Sequence, residues 1–487
     1  MNYRMIAKIV GRVIGIEAVL LLIPTFVSLH FHEGKCVNSF LLTIVLAAAV
    51  SLLFFLISRH GGKKIFSKEG FVSVALSWVV MSLIGALPFF ITREIPSYID
   101  AFFETVSGFT TTGSSILTDI EAMSRGLLFW RSFTHWIGGM GILVFMLAFV
   151  PTGEEYSMHI VRAEVPGPEA GKLTAKVQRS SLILYLIYFV LTITEITALL
   201  ICKMPLFDSV VHAMGTAGTG GFGIKSTSIG AYSSAAQVVI AVFMFLFGVN
   251  FNIYFFILMR RFRVALKDSE LHFYFLAVTF ATLTISINIR NLSVYADGFG
   301  HALRDAFFQV TSIASTTGFT TTNFDLWPQY SKTILIIIMF MGACAGSTAG
   351  GIKVSRVLIL LKTIKAEIKH MLHPHSFNPV MINGKTIQKE TLRGTLVYFA
   401  MDILLVSLGF IVISLDEKDF VTTFSSVITC ISNVGPAFSL VGPAGNFEFF
   451  SPLSKITLSI LMLMGRLELI PMVILFNPTT WKRRGQF

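Results

Sequence analysis

Long apolar stretches alternate with short polar connections along the whole chain. A helix needs about 20 mainly apolar residues to cross a hydrocarbon core of roughly 30 Å. Stretches of that length occur about ten times, and this pattern predicts an all-α integral membrane protein. The predicted spans cover residues 9–30, 38–58, 70–92, 127–150, 180–202, 236–259, 271–289, 333–361, 395–415 and 454–477.

A second, shorter pattern lies between these spans. In four places a segment of about 12 residues, roughly 18 Å long as a helix, runs into a turn rich in Thr, Ser and Gly, and an apolar span follows. The first and third copies nearly match, reading DAFFETVSGFTTTG from Asp100 and DAFFQVTSIASTTG from Asp305. The turns carry one glycine in register, at Gly113, Gly221, Gly318 and Gly435.

This internal period indicates a repeated architecture. Each short helix would reach about half-way across the bilayer, which predicts four pseudo-repeats of span, re-entrant pore loop and span around one pore. A non-helical turn at that depth is tolerated only where neighbouring helices bury it or water fills a cavity. The predicted boundaries are 1–68 for two N-terminal spans, 69–178 for the first repeat, 179–270 for the second, 271–393 for the third, whose second span is broken, and 394–487 for the fourth.

Composition excludes a soluble protein with a single core, because 54% of the residues are hydrophobic, 13% are charged, and the mean hydropathy is +0.74. The formal charge is +11. The basic residues cluster at span ends and do not form a patch with interleaved aromatics, so no nucleic-acid partner is expected. The positive-inside rule then predicts cytoplasmic termini and four loops that enter from the outer face. The clusters are Arg4/Lys8/Arg12, Lys63/Lys64/Lys68, Arg260/Arg261/Arg263/Lys267, Lys362/Lys365/Lys369 and Lys482/Arg483/Arg484.

The four turns have the chemistry that a bare alkali cation requires. Such an ion passes where a ring of backbone carbonyl oxygens replaces its hydration shell, and glycine reaches the necessary φ angles at little cost. The turns contain no acidic residue, which favours a neutral carbonyl filter over a ring of carboxylates. Close helix packing through small residues is the alternative, but four copies in register disfavour it. The predicted filter residues, which we call the four glycine turns, are Thr111, Thr112 and Gly113; Thr219, Gly220 and Gly221; Thr316, Thr317 and Gly318; and Asn433, Val434 and Gly435.

Three further motifs accompany the glycine turns: HWIGGMG at 135–141, GSTAGGIK at 346–353 and GRLE at 465–468. With the turns, they make essentially the whole chain resemble the TrkH/TrkG branch of the Trk/Ktr/HKT potassium transporter superfamily. The resemblance implies potassium uptake across the bacterial inner membrane, through a pore that each subunit of a homodimer forms by itself. It also implies a cytoplasmic TrkA-type ring that binds nucleotides, whereas this chain carries potassium and binds no nucleotide itself.

A run of small residues, GACAGSTAGG at 342–351, interrupts the apolar span 333–361. Its four glycines each disfavour a helix by about 1 kcal/mol relative to alanine, so the sequence predicts a break in the helix. In the family the matching stretch is an intramembrane loop beneath the filter that acts as a gate; a tight helix crossing through small residues is the alternative. The predicted gate residues are Gly342, Gly346, Ser347, Thr348, Gly350, Gly351, Lys353 and Arg466.

Arg466 lies near the middle of an apolar span, where a charge is costly and indicates a functional residue by default. By resemblance it imposes an electrostatic barrier on cations just below the filter. The alternative is a salt bridge with Glu468, although residues two apart on a helix do not face each other. Four other embedded ionisable residues are interpreted as forming interhelical hydrogen bonds or lying near an interface: Arg131, His135, Glu195 and Asp402.

Two alternatives within transport stay open, a proton- or sodium-coupled potassium symporter and a sodium-permeable transporter; glycine in all four turns argues against the second. An enzyme is not predicted, because the spans contain no H-E-x-x-H, G-x-S-x-G or paired-Asp motif. His370, His373 and His375 have no acidic neighbour, so we expect no metal site there. Lys353 and Arg356 are expected to contact lipid headgroups, the gate or a soluble partner.

Overall fold

The computed structural model describes residues 1–59, 67–141, 177–295, 298–376 and 378–481. Most of the predicted cytoplasmic connection 152–178 lies outside the described residues, as do the basic residues at 63, 64 and 482–484. Within the described ranges, regular structure is helical apart from one short hairpin. The α-helices are α1 (Tyr3–Leu20), α2 (Leu22–His30), α3 (Gly34–Ser58), α4 (Ser67–Gly85), α5 (Leu87–Thr92), α6 (Tyr98–Phe109), α7 (Arg125–Met140), α8 (Val177–Ile201), α9 (Leu206–Gly218), α10 (Ser234–Phe247), α11 (Phe251–Leu258), α12 (Phe262–Leu266), α13 (Ser269–Ile289), α14 (Phe299–Ala314), α15 (Gln329–Met341), α16 (Val354–Leu372), α17 (Lys389–Ile413), α18 (Phe420–Ser432), α19 (Pro452–Arg466), α20 (Ile470–Phe476) and α21 (Pro478–Trp481).

The hairpin joins β1 (Met381–Ile382) and β2 (Lys385–Thr386), which pair antiparallel. Its two turn residues, Asn383 and Gly384, both have positive φ, at 50° and 75°. An Asn-Gly pair favours this type of two-residue turn. Short 3-10 turns occupy Ser228–Ala231, Ser293–Tyr295, Phe324–Leu326, Ser414–Asp416 and Ser439–Val441.

Among the described residues, five helical stretches are long and apolar enough to cross a membrane, and a sixth counts if one bent pair is a single span. They correspond to the predicted spans 38–58, 70–92, 180–202, 271–289 and 395–415 and, for the bent pair, 236–259. The bent pair is α10 and α11, which meet at 90°. Mainly apolar segments long enough to cross a bilayer are the mark of a membrane protein.

The predicted span 9–30 divides into α1 and α2. The predicted spans 127–150, 236–259, 333–361 and 454–477 are also not single helices, and their breaks follow a pattern. After each glycine turn comes a helix that ends before it could cross a bilayer: α7, α10, α15 or α19. A residue with positive φ follows the last residue of three of these helices within two positions. These residues are Gly141 after α7, Gly342 after α15 and Glu468 after α19. Apolar composition alone does not reveal such a break, so the sequence predicted continuous spans at 236–259 and 454–477 where the structure has two helices each.

The four short helices that precede the glycine turns, α6, α9, α14 and α18, are packed in the same way. Each contacts the helix on either side of it along the chain and one helix from another of the predicted repeats. That third neighbour is α19 for α6, α7 for α9, α10 for α14 and α15 for α18. Each short helix therefore lies against the helix that follows the preceding turn. The ring is closed because α19, after the fourth turn, contacts α6, the first short helix.

The starts of two of these short helices, α6 and α18, are capped by side chains. Ser97 accepts a hydrogen bond from the Asp100 amide at the start of α6, and Asp419 accepts one from the Thr422 amide, 3.0 Å away, at the start of α18. Side-chain oxygens at such positions satisfy amides that have no partner within the helix. The Thr422 hydroxyl and amide also lower the pKa of the exposed Asp419 carboxyl, because both donate hydrogen bonds to its charged form.

Candidate functional site

The four glycine turns share one backbone conformation. The residue two before each glycine has a left-handed φ of 55–57°, at Thr111, Thr219, Thr316 and Asn433. The glycines themselves have φ of 82°, 76°, 85° and 96°. Residues with side chains rarely adopt positive φ, and when they do so at equivalent places the surrounding structure must stabilise it.

A repeated hydrogen bond stabilises this conformation. The amide just before each glycine donates to the carbonyl five residues earlier, with N···O distances of 2.9 Å for Thr112, 2.8 Å for Gly220, 2.8 Å for Thr317 and 3.0 Å for Val434. This bond is typical of a helix that ends in a left-handed residue. All four short helices therefore end with their carbonyl-rich, negative ends at a glycine turn.

The turns also contact one another in cyclic order. A Cβ atom on Gly113 would overlap the carbonyl oxygen of Gly220, and one on Gly221 would overlap that of Thr317. A Cβ on Gly318 would likewise overlap the carbonyl oxygen of Val434. The order closes because a Cβ on Gly435 would lie 2.6 Å from the carbonyl oxygen of Thr112. No residue larger than glycine fits these positions without moving the neighbouring backbone.

One cavity of about 140 Å³ adjoins all four turn glycines. Its lining includes Ser114, Thr320 and Pro436, and its charged residues are Arg131 and Lys225. No carboxylate belongs to this lining. A cation that entered here would meet hydroxyl and backbone oxygens as well as these two basic side chains.

A buried ion pair supports the first and second turns. Arg131 of α7 bonds the carboxylate of Glu104 on α6, with Nε–Oε1 and Nη2–Oε1 distances of 2.8 and 2.7 Å, and both side chains are at most 1% exposed. The second carboxylate oxygen, Oε2, accepts the Ile116 amide at 3.0 Å. Arg131 also donates to the Gly223 carbonyl and stacks on Phe222, 4.0 Å from the ring centre. A fully bonded pair of this kind fixes the segments that carry its partners.

His135 connects the same two turns. Its Nδ1 lies 2.7 Å from the Gly108 carbonyl, and its Nε2 lies 3.3 Å from the Phe222 amide. A ring that donates to a carbonyl through Nδ1 and accepts an amide proton through Nε2 is neutral. The prediction that Arg131 and His135 form interhelical hydrogen bonds is confirmed by these contacts.

The predicted break at 342–351, which we call the small-residue segment, is present: α15 ends at Met341 and α16 begins at Val354. The segment lies directly against three of the four glycine turns. The carbonyl of Thr348 accepts the Thr219 hydroxyl at 2.9 Å, and the amide of Gly350 donates to the Thr316 hydroxyl at 2.7 Å. A Cβ on Gly350 would lie 2.8 Å from the Cβ of Asn433. The left-handed residues of these turns therefore contact the segment directly.

Two cations stabilise the small-residue segment. Arg466, 6% exposed, donates from Nη1 to the Thr348 carbonyl and from Nη2 to the carbonyls of Gly138 and Gly139, all at 2.6 Å. Lys353, 2% exposed, donates to the Ala349 carbonyl. Arg466 therefore joins the segment to the end of α7.

The other predicted gate residues shape the segment itself. Gly342, Gly346 and Gly351 have positive φ, and the Ser347 hydroxyl donates to the Cys344 carbonyl at 2.6 Å. Gly342 packs on Gly351, so the two ends of the segment meet. All the predicted filter and gate residues are therefore brought into one contiguous region.

Sequence reasoning missed two carboxylates in this region, Glu104 and Glu270. A glutamate inside an apolar segment was the available signal for Glu104. The sequence analysis also considered Glu468 as a partner for Arg466. In the structure, Glu468 forms a bidentate pair with Arg356. Arg356 lies over the Tyr398 ring as well, 4.0 Å from its centre.

Apolar helices of membrane-crossing length define an integral membrane protein. Residues 36–483 match the model of one family, described as TrkH, a cation transport protein. The chain belongs to this family. It is accordingly a transport protein and not an enzyme.

Individual relatives extend over the whole chain. It is 34% identical to the Trk system potassium uptake protein TrkH of Escherichia coli K12, over 99% of this chain and 100% of that protein. It is 30% identical to TrkG of the same organism, over 99% of each. The crystal structure of the potassium transporter TrkH from Vibrio parahaemolyticus superposes with a TM-score of 0.88 at 29% identity, over 99% of this chain and 100% of that one.

Proposed function

We propose that this protein takes up potassium across the bacterial inner membrane through a selectivity filter made by the four glycine turns. One observation carries the proposal: four turns with the same left-handed backbone meet in cyclic order, and their glycines line one cavity. Backbone carbonyls in such a ring can replace the hydration shell of a bare cation. The names of the relatives specify potassium.

The charge distribution supports a cation. Four helix ends direct their negative poles at the turns, and the cavity lining contains no carboxylate that would bind an ion by charge alone. The basic side chain of Arg131 is neutralised by Glu104. We therefore assign ion selection to the backbone carbonyls of the filter residues, in four pseudo-repeats around one pore.

Conduction is proposed to be gated by the small-residue segment. Its contacts are with Thr219, Thr316 and Arg466, none of which lines the cavity. A cation leaving the filter there would meet both the segment and the guanidinium charge of Arg466. With the gate open, an interior-negative potential drives uptake by about 2.3 kcal/mol per charge per 100 mV.

Partners are proposed on the family resemblance. We propose that the protein forms homodimers in the lipid bilayer, and that a cytoplasmic TrkA-type ring binds the nucleotide that controls the gate. Light scattering of the purified protein with its detergent contribution subtracted would test the dimer. A mass that equals one chain of 53.8 kDa would contradict it.

Flux measurements test the transport function. The purified protein is reconstituted into liposomes, and reversal potentials are recorded under potassium and sodium gradients without a pH gradient. A reversal potential that follows potassium supports the proposal. Equal potassium and sodium permeability would contradict the filter assignment, and flux that requires a proton or sodium gradient would favour the coupled symporter. Empty liposomes and liposomes with heat-denatured protein are the controls.

A further inference from the structure

Glu270, in the first turn of α13, contacts the small-residue segment and the first turn of the helix that follows it. One carboxylate oxygen, Oε1, accepts the amide of Ala345 at 2.7 Å and the amide of Ser355 at 2.9 Å. Ala345 lies inside the segment and Ser355 lies in the first turn of α16, immediately after it. The carboxylate is only 7% exposed, so water competes little for these hydrogen bonds.

These two hydrogen bonds differ from the other contacts of the segment. The bonds of Thr219, Thr316 and Arg466 are made at Thr348 and Gly350, whereas Glu270 binds Ala345 earlier in the segment and Ser355 in the helix that follows it. Hydrogen bonds to a charged acceptor are about twice as strong as those between neutral groups. Displacing the segment as a unit therefore requires breaking its contacts with Glu270.

The beginning of α13 is bound in turn to the exposed β1–β2 hairpin. Asn383, at the hairpin turn, donates from Nδ2 to Asp268 and accepts the Ser269 amide, both at 2.8 Å. Asp268 itself caps α13 by accepting the Leu271 amide. On its other side the hairpin is bound by Lys362 of α16, which donates to the Met381 carbonyl at 2.7 Å. The hairpin therefore connects the beginning of α13, which carries Glu270, to α16, which follows the segment.

We infer that Glu270 is a positioning residue that keeps the small-residue segment against the glycine turns, and that the 381–386 hairpin holds the beginning of α13, and Glu270 with it, in place. This inference rests on the proposed gating function. The hairpin is exposed and lies in a connection that the charge pattern puts in the cytoplasm. Movement of its turn changes the position of α13, and with it the carboxylate that binds the segment.

The first test measures potassium flux without any partner in Glu270→Ala and Glu270→Gln. We expect basal flux to rise about tenfold in Glu270→Ala, equivalent to about 1.4 kcal/mol. The rise should be smaller in Glu270→Gln, because the amide oxygen still accepts hydrogen bonds. Glu390→Gln is the matched control, since Glu390 is also in the first turn of a helix but is exposed. Its flux should equal that of the wild type.

The second test reports the position of the segment independently of flux. Cys344 lies in the segment and is fully buried, and Cys430 of α18 is equally buried outside it. A small thiol reagent is applied, and modification of each cysteine is followed by peptide mass spectrometry. We expect Glu270→Ala to accelerate modification of Cys344 severalfold and to leave Cys430 unchanged. Equal acceleration at both cysteines would indicate general unfolding and would overturn the inference.

The hairpin is tested by Asn383→Gly, which keeps the positive-φ turn and removes the side chain, with Asn378→Gly in the same connection as control. We expect Asn383→Gly to accelerate Cys344 modification by less than Glu270→Ala does, and Asn378→Gly to leave it unchanged. Unchanged Cys344 modification in both Glu270→Ala and Asn383→Gly overturns the inference. If the wild type carries no potassium at all, the proposed function fails, and the cysteine measurement still decides what Glu270 does.

Discussion

The glycine turns and the small-residue segment are both rich in glycine, yet they are stabilised in different ways. At the turns the stabilising bonds are backbone bonds that recur four times with nearly the same length. The segment also has backbone bonds, from the Phe251 amide to the Gly346 carbonyl and from the Cys344 amide to the Gly248 carbonyl, but they do not recur. It is bound in addition by charged side chains from distant elements, among them Arg466 and Glu270. The recurring bonds suit the fixed filter proposed for the turns, and the single, unrepeated contacts suit the movable gate proposed for the segment.

The role of glycine differs in the same manner. At the turns a Cβ would overlap the carbonyl of the adjacent turn, so glycine is needed for close approach. In the segment, Gly342, Gly346 and Gly351 have positive φ at a sharp reversal, so glycine is needed for the chain to turn. Substitution should therefore damage ion selection in the first region and change the gate in the second.

The largest effect is expected for Gly221→Ala. Its Cβ would overlap the Thr317 carbonyl, and φ is 76°, a conformation that costs an L-residue about 1–2 kcal/mol even in open space. We expect selective potassium flux to fall by about 100-fold or more, equivalent to about 2.7 kcal/mol, and the potassium-to-sodium permeability ratio to fall towards one. Reversal potentials in liposomes measure both.

Gly394→Ala is the control for that substitution, because no atom lies within 4 Å of the position where its Cβ would be. Gly394 is in α17, so alanine should stabilise the helix slightly. Wild-type selectivity in Gly221→Ala would disprove the assignment of the glycine turns as the filter.

The next largest effect is expected for Glu104→Gln. This change leaves Arg131 charged and buried without its counter-ion, and breaking such a pair typically costs about 3–5 kcal/mol. We expect a clear fall in the thermal unfolding temperature and a reduced permeability ratio. Glu448→Gln, at an exposed glutamate, should change neither quantity.

A second variant separates the charge from the packing. Replacing both members, as Glu104→Gln with Arg131→Met, removes the unpaired charge, so part of the lost stability should return. If Glu104→Gln alone unfolds at the same temperature as the wild type, the buried pair does not stabilise the site.

The sequence predicts the backbone features of both regions but not the side chains that bind the segment. The register of the turns was readable, because four copies repeat one spacing and the short helices end at the same place in each. The break at 342–351 was readable from its glycines. The side chains that bind the segment could not be predicted, because Glu270 accepts amides that lie 75 and 85 residues further along the chain. No local pattern connects such distant positions.

The spans between the turns were predicted less well for a related reason. Hydropathy records apolar character and not helix continuity, so 236–259 and 454–477 were predicted as single spans. In the second of these, Glu468 and Leu469 have positive φ. Glu468 is stabilised there by its bond to Arg356, a contact with another repeat that the sequence cannot reveal.

A moderate effect is expected for Arg466→Ala. The substitution removes three hydrogen bonds that join the segment to α7, and with them the charge on the exit side of the filter. We expect basal potassium flux to rise about tenfold, equivalent to about 1.4 kcal/mol, while the permeability ratio stays the same because the turns are untouched.

Arg466→Lys sharpens that result, because lysine keeps the charge but lacks the planar fork that reaches several carbonyls. Flux between that of the wild type and that of Arg466→Ala would indicate that both the charge and the bonds oppose conduction. Basal flux in Arg466→Ala no greater than in the wild type would refute the barrier.

The smallest effect is expected for Asp100→Asn, one turn before Glu104 on the same helix. Asp100 pairs with Lys455 of α19 at 2.6 Å, and the Asp100 and Lys455 side chains are 23% and 7% exposed, so solvent reaches the carboxylate of this pair but not that of Glu104. We expect the unfolding temperature to fall less than in Glu104→Gln, and the difference from the wild type to shrink at high salt. Glu104→Gln should lower it at both. The two carboxylates share a helix, and each binds a basic side chain on a neighbouring helix. The ratio of the two changes in unfolding temperature therefore measures how much more the Glu104 pair depends on its burial beside the glycine turns. Equal effects would mean that the Glu104 pair is as well solvated as the outer one.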